Sequence, residues 1–534
     1  MLTARTIGTA DRRGGTVMRS GCLVGLDIGS SSVRALALAV GTGRVLAVTQ
    51  EATPVSRSLT AVELAPAALR LAVESALRRL MASLPGGYRP LGVAATSVGE
   101  AGAPVDEAGT VLRNVIWWQD SRSAGQVTRL AEAVGAERLE RIAGHPVDPT
   151  WGIGRVMWVR ENQPEIYDRT AAWLPVADLA TLWLTGETVT SASLASRTMA
   201  WDQHGQCWSG EILTAAEVDV ARMPPVVPSG TLVGAVTQAA ASRTGLPAGL
   251  PVSVAGHDRQ CGAFAARQGT AAPVDSAGTA EALLISVTAA DDMRRLGTGI
   301  GWYADVEPGR HTYAARIGLA GGLLDWAKQV FFDSADVNYR QILAEIPTPY
   351  TFTGVVCTPT FGRYSSPYWA ASAVPGVISG LTTSHVRADI LQALLEAPAF
   401  ALRATLEVLD SWFDEPLETV RVEGGIVQNQ PWLQSRADIT GRPLLSIEQQ
   451  HMTAIGAALL AGLGSGTFSS AREAGSSLPL TLREWSPDPH RGERYAAAFD
   501  RYVQPLASFL AGVPDDISQR RLAILAQAIE GRSA

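Results

Sequence analysis

The amino-acid sequence predicts an α/β protein made of two related halves that face one another across a cleft. Three observations predict it. Short apolar runs broken by glycine turns alternate with stretches of helical periodicity, the mixture that packs as sheets covered by helices. An acid, small residues, a glycine beside a hydroxyl residue and then an apolar strand open the patterned part of the chain and recur near its middle. At 534 residues, 46% hydrophobic and 18% charged, the chain is long enough for two large domains with sizeable cores.

Residues 1–20 are polar and aperiodic and are expected to form a disordered extension. CLVGLDI (22–28) reads as a strand, Gly29-Ser30-Ser31-Ser32 as a tight turn, and residues 33–40 as a returning strand. A third strand, 44–50, follows the Gly-Thr-Gly turn at 41–43. Residues 65–84 carry apolar residues at helical spacing with arginines on the other face, and 91–98 return to strand character. In VDSAGTAEALLISV (274–287), Asp275, Gly278 and Thr279 echo Asp27, Gly29 and Ser30. The boundary is expected at 268–274, giving a first domain over 21–270, a second over 271–512 and a tail over 513–534. A helical stretch from about Val386 to Phe413 contains Pro398, which is expected to kink or split it. RVEGGIVQ (421–428) reads as a strand end before another helix.

Composition removes several functions. The formal charge is −7 and no basic run occurs, so the surface that would neutralise nucleic-acid phosphates is missing. No stretch has the roughly 18 apolar residues of a membrane span, and a cytoplasmic location is expected. Cys22, Cys207, Cys261 and Cys357 stand far apart without a CxxC pair and read as buried thiols. Lys328, in DWAKQ, is the only lysine, which excludes a P-loop and a protein-kinase lysine alike. Hydrolase signatures, GxSxG and HExxH, are absent as well.

The turn at 29–32 gathers successive backbone N–H groups and three hydroxyls, the concave arrangement that binds phosphate, with Arg34 in reach and Asp27 just before it. Taken alone it reads better as a polar hairpin turn; the second copy at 275–280 reverses that preference toward phosphate. Asp258, in GHD after the apolar strand 252–255, is placed either to accept a hydroxyl proton or to cap the helix that follows. Gly424-Gly425 with Asn429 admits a flat base, or merely a glycine turn at a helix end.

In this order the segments resemble the FGGY carbohydrate kinases, the sugar-kinase branch of the actin, hexokinase and Hsp70 superfamily. The resemblance covers about 21–465. It rests on GLDIGSSSVR, SAGTAEAL, AGGLLDWAKQ, EGGIVQNQPWLQSRADITGRPL and TAIGAALLAGL, with NVIWWQDSR, LTGETVTSASLASRTMAWD and PPVVPSGTLVG also similar to family segments. It implies two ribonuclease H-like, actin-like ATPase domains flanking a cleft, and transfer of the γ-phosphoryl group of MgATP to a sugar or polyol hydroxyl. A pentulose such as xylulose is the first expectation, a hexulose or glycerol-like polyol the second. A non-catalytic or regulatory sugar- and ATP-binding protein of the same fold is the alternative, and homodimers are common in the family. By position, Asp258 resembles the catalytic base. Gly29, Ser30, Ser31, Ser32, Arg34, Gly278, Thr279, Gly321, Asp325, Gly424, Gly425 and Asn429 fall where the family holds the nucleotide. Glu100, Asp120, His257 and Arg259 are the sugar candidates beside Asp258, Arg122 has a structural role, and Asp27 resembles the acid that organises Mg²⁺ through water. The strand end TSVGEAG (96–102) lacks the Arg-Glu pair of typical glycerol kinases and the Met-His pair of typical xylulokinases, so neither substrate name follows.

Overall fold

The near-continuous apolar run at 22–28 is what a strand needs when both faces of its sheet are covered. In the computed structural model, which describes residues 20–288, 295–332, 337–358 and 376–511 (505–511 as backbone only), that run lies in the strand Ser20–Ile28. Apart from Ser20, the extension expected over 1–20 lies outside the described residues, as does the tail over 513–534.

Ser20–Ile28 pairs antiparallel with Ser32–Ala39, and that strand pairs antiparallel with Val45–Ala52. On its other side it pairs parallel with Tyr88–Ser97, then come Pro251–His257 in parallel and Leu232–Ala235 in antiparallel pairing. The second half repeats this order. Val274–Ala277 pairs antiparallel with Ala280–Val287, which pairs antiparallel with His311–Leu319. Its other side carries Val420–Gly424 and Leu444–Ile447 in parallel and Leu482–Trp485 in antiparallel pairing. The repeat seen in the sequence is therefore a repeat of sheet topology, with Gly301–Ala304 as an added edge strand in the second sheet. A smaller five-stranded sheet, with Gly102–Val105 between Val115–Ile116 and Ala172–Pro175, builds the outer wall of the first half.

The echo is offset by one residue. Asp27 stands two places before the turn glycine Gly29, whereas Asp275 stands three before Gly278. Side chains alternate faces along a strand, so Ser276 matches Asp27 and Asp275 points the other way. There it is fully buried against Arg436 (Nη2–Oδ2 2.5 Å), which also pairs with the buried Glu281.

Helix Met452–Gly464 belongs to the second half but lies against the first sheet and against helix Asp258–Arg267. Glycines permit it. A Cβ on Gly25 would stand 1.9 Å from the Ala454 carbonyl oxygen, and one on Gly456 1.9 Å from that of Cys261. Leu23, Phe264, Leu284, Ile455 and Leu459 share one buried cluster, so the two halves have a common core between their sheets.

Two expectations change. Arg387–Asp410 is one helix of 24 residues with Pro398 inside it, so of the kink or split expected there the split does not occur. Leu394, Leu395, Phe400 and Leu402 are buried on both sides of the proline, and their packing holds the helix together where a hydrogen bond is lost. Cys207 is exposed, on a hairpin with Trp201–Asp202, whereas the other three cysteines are buried.

Because backbone meets backbone at Gly25, Gly25→Ala is expected to lower unfolding free energy by about 3 kcal/mol or more, as overpacking does. Chemical denaturation of wild type and variant measures it, and equal midpoints would contradict the close contact.

Candidate active site

The two sheets leave a cavity of about 280 Å³ between them, lined from the first half by Glu100, Arg197, His257 and Asp258 and from the second by Tyr303 and Arg316. The strand Pro251–His257 ends at its rim, where helix Asp258–Arg267 begins. Asp258 Oδ1 accepts the Arg259 N–H at 2.7 Å and faces His257 Nε2 at 3.2 Å, while Oδ2 has no hydrogen-bond donor among the described residues. A capping role thus accounts for one oxygen only. Burial pushes the carboxyl up to about 6, and Glu100 adds to this while Arg259 and Arg197 oppose it. His257 is held well below the usual imidazole range by burial and by Arg197, so a neutral ring, its Nε2 3.2 Å from Oδ1, lies beside Asp258.

Glu100 and Arg197 form a buried ion pair, with Arg197 Nε donating to Glu100 Oε1 at 3.0 Å. Glu100 is buried too, yet Arg197, His257 and Arg316 hold its carboxyl far below the usual range. The Arg197 guanidinium lies over the Trp151 and Tyr303 rings, 4.7 and 4.5 Å from their centroids. It can do so because residue 99 is glycine: a Cβ there would stand 2.5 Å from Arg197 Cγ and 2.8 Å from His257 Cδ2. Arg197 therefore supplies, from another segment, the guanidinium that the strand end lacks. Arg316, from the second sheet, crosses to Asp148 of the first half at 3.1 Å. Beneath this wall the fully buried Arg155 donates to the carbonyls of Trp117, Trp118 and Thr150 and fixes the loops that carry them.

Asp120 is elsewhere. Its oxygens take three N–H groups of Arg122 and the Val62 N–H, which fills a carboxylate's hydrogen-bonding capacity. It is 3% exposed and does not line the cavity, so its place is structural, paired with Arg122.

The first turn closes through Gly29 N–H to the Ser32 carbonyl at 3.0 Å, the second through Gly278 N–H to the Ala280 carbonyl at 3.2 Å. Ser30 Oγ accepts the Trp118 indole N–H at 3.0 Å, and the Ser31 carbonyl accepts the Thr53 N–H at 3.1 Å. Arg34 donates to Asp27 at 3.0 Å and to Ser32 Oγ at 3.1 Å. The start of helix Gly321–Phe331 docks on the second turn, with Gly321 and Gly322 N–H groups each 3.0 Å from the carbonyls of Gly278 and Thr279. Four residues on, Asp325 accepts the Tyr339 hydroxyl. Gly424 has a backbone duty: its φ is +103°, and a Cβ would meet the Ala277 carbonyl oxygen at 2.4 Å. Gly425 faces open space, and Asn429 caps helix Gln430–Thr440 while its Nδ2 lies 3.4 Å from the Tyr350 hydroxyl.

A further carboxylate near Asp27 and Asp258, Glu423, escaped the sequence reading. It ends the strand paired with Val274–Ala277, and a Cβ on Gly262 would lie 3.5 Å from its Oε1. Asp27 is pushed up to about 7 by burial, against Arg34, with Asp258 and Glu423 adding to the rise; Glu423 is raised by burial as well. No cluster among the described residues offers three direct metal ligands. Hard carboxylate oxygens that raise one another suit a divalent cation that keeps its waters, so the donor set fits Mg²⁺. Arg197, Tyr303 and Arg316 were also missed, although Arg197 lies in a segment already similar to the family.

Two topologically repeated sheets around a shared cleft, with a turn from each at its mouth, define a two-domain phosphotransferase of the actin-like ATPase fold. Residues 22–265 match the N-terminal domain of the FGGY family of carbohydrate kinases and residues 276–465 its C-terminal domain. The chain belongs to that family and is an ATP-dependent sugar or polyol kinase. It is 28% identical to the L-fuculokinase of Escherichia coli over 397 residues, 74% of this chain and 82% of the relative. To a glycerol kinase of Aromatoleum aromaticum it is 31% identical over 384 residues, 69% and 74% of the two chains. The crystal structure of xylulose kinase from Rhodospirillum rubrum superposes with a TM-score of 0.79 at 26% identity, covering 91% of this chain and 99% of that one.

Proposed function

We propose that Asp258 takes the proton from the acceptor hydroxyl while the two turns hold the phosphates of ATP. The observation that carries this is Asp258 Oδ2, which takes no donor among the described residues, on a carboxyl that lines the cavity and is pushed up to about 6. Such a group is ionised at neutral pH yet basic enough to share a proton. The acceptor sits between Glu100 and His257 on one side and Tyr303 and Arg316 on the other. Its oxygen attacks the γ-phosphorus, and ADP leaves with the electrons of the broken bond.

Gly29, Ser30, Ser31, Ser32 and Arg34 face the phosphates from the first half, and Gly278, Thr279 and Gly321 from the second. Gly425 and Asn429 receive the adenosine, with Asp325 close by. Asp27, with Glu423 beside it, holds Mg²⁺ through water. When bound, the ion neutralises phosphate charge.

The cavity is small, and Glu100, Arg197, His257, Asp258 and Arg316 stand in its wall among apolar groups, which suits a short polyhydroxylated acceptor better than a large one. A five-carbon ketulose is the first choice, because the solved relative at 26% identity is a xylulose kinase; hexuloses and glycerol-like polyols follow. ATP as co-substrate fits a cytoplasmic enzyme, and no helix among the described residues is long and apolar enough to cross a membrane. An ATP-consumption screen over pentuloses, hexuloses and polyols identifies the acceptor.

With that acceptor, Asp258→Asn is expected to lower turnover by roughly 10²-fold or more at nearly unchanged ATP affinity. Protonation removes the base, so wild-type kcat/KM should be level above the raised pKa and fall tenfold per unit of pH below about 6. Full turnover by the folded variant removes Asp258 from the mechanism. At Gly425 nothing lies within 4 Å of an added Cβ, so Gly425→Val should melt like wild type. Its ATP affinity, read by calorimetry, should nonetheless drop, since the side chain fills space assigned to adenosine; unchanged affinity contradicts that assignment.

A further inference from the structure

Arg259, a sugar candidate from the sequence, lines the cavity, and its side chain also reaches across it. The residue follows Asp258 in the first turn of helix Asp258–Arg267, and its guanidinium extends to the second half. Nη1 lies 3.5 Å from the Ser276 carbonyl oxygen and Nη2 3.3 Å from that of Ala280. These carbonyls bracket Gly278 and Thr279. The guanidinium thus spans the mouth of the second turn while its own backbone N–H holds the base.

The contacts it makes there are weak. Both acceptors are neutral and at the long end of hydrogen bonding, where a charge-assisted bond to an anion closes to about 2.8 Å. Other arginines around the cleft have carboxylate partners: Arg34 pairs with Asp27, Arg197 with Glu100, Arg267 with Asp305, Arg316 with Asp148 and Arg436 with Asp275 and Glu281. Arg259 makes no ion pair among the described residues, remains partly exposed and lines the cavity. The single lysine, Lys328, is in the last turn of helix Gly321–Phe331. Phosphoryl transfer needs positive charge on the group in flight, and this one guanidinium stands between the base and a phosphate turn.

We propose that Arg259 is a catalytic residue that donates N–H groups to the oxygens of the phosphoryl group during transfer. The proposal rests on the turn at 276–280 holding the γ-phosphate. In the step, the acceptor hydroxyl gives its proton to Asp258 and its oxygen bonds to the γ-phosphorus. The bond from that phosphorus to the oxygen shared with the β-phosphate breaks, and its electron pair leaves with ADP. Arg259 keeps its protons throughout. It exchanges two weak carbonyl contacts for charge-assisted bonds that strengthen as charge spreads over the equatorial oxygens.

The test compares Arg259→Gln, Arg259→Lys and Arg259→Ala with wild type and Asp258→Asn, using the acceptor that the screen finds fastest. Arg259→Gln should lose about 10³-fold in kcat, the lower end for a transition-state arginine. Its affinity for a non-hydrolysable ATP analogue and its KM for the acceptor should stay within about threefold. Arg259→Lys should recover part of the loss, and added guanidinium should raise the rate of Arg259→Ala, which a merely structural role would not allow. A raised KM with kcat retained would make Arg259 a sugar contact, and unchanged kinetics would give it no role; either result overturns the proposal. Loss in Arg259→Gln alongside full activity in Asp258→Asn would sink the base and leave the arginine standing.

Discussion

The site depends on one close approach, helix Met452–Gly464 lying backbone to backbone against the first strand and against helix Asp258–Arg267. Gly25 faces the Ala454 carbonyl and Gly456 that of Cys261, each with no room for a Cβ. Through these contacts the strand Ser20–Ile28 with Asp27, the helix that begins at Asp258 and the strand Val420–Gly424 with Glu423 are brought to one seam. Packed interiors yield little, so the seam itself stays intact while the walls of the cleft on either side of it can close on ligands. Polar side chains add to this seam across the cleft, where Arg316 reaches Asp148 and Arg259 the second turn.

With that frame in place, the cleft sorts its carboxylates by their partners. Glu100 and Asp258 are both buried near Arg197, yet they titrate in opposite directions. Glu100 receives the Arg197 guanidinium directly and is fixed as an anion. Asp258 receives only a backbone N–H and a neutral imidazole, and burial dominates. One carboxylate becomes a permanent recognition charge and the other a proton acceptor, the usual outcome when two acids in one site are pushed apart. Burial raises Asp27 as well, against the Arg34 guanidinium, and Glu423; it also raises Asp275 and Glu281, although both pair with Arg436 on the other face of their sheet.

Much of this was legible in the sequence because it is written locally. The strand at 22–28, its glycine turn and the second copy at 274–287 need only an apolar run and a turn, and both lie where the pattern puts them. The one-residue offset between the copies stands in the sequence, but which face Asp275 takes also depends on where the turn closes. Asp120 was a sugar candidate through the resemblance of its segment NVIWWQDSR; the four N–H groups around it are visible only in the fold. Arg197 and Arg316 reach the cavity from segments 97 and 216 residues beyond Glu100, and nothing local to either marks it. Pro398 shows the converse: a strong local rule overridden by packing on both sides of the helix.

If each half supplies part of one site, the two substrates must feel one another. Arg316 already crosses to Asp148, and Arg259 to the second turn, so ligands on either side favour the same closed arrangement. The deciding measurement is calorimetric titration of a non-hydrolysable ATP analogue with and without saturating acceptor, followed by small-angle scattering of each state. Fivefold or greater tightening in both directions, within the usual range of about 5- to 150-fold for coupled sites, with a smaller radius of gyration is the expected result. Equal affinities and identical radii would contradict a site assembled from both halves.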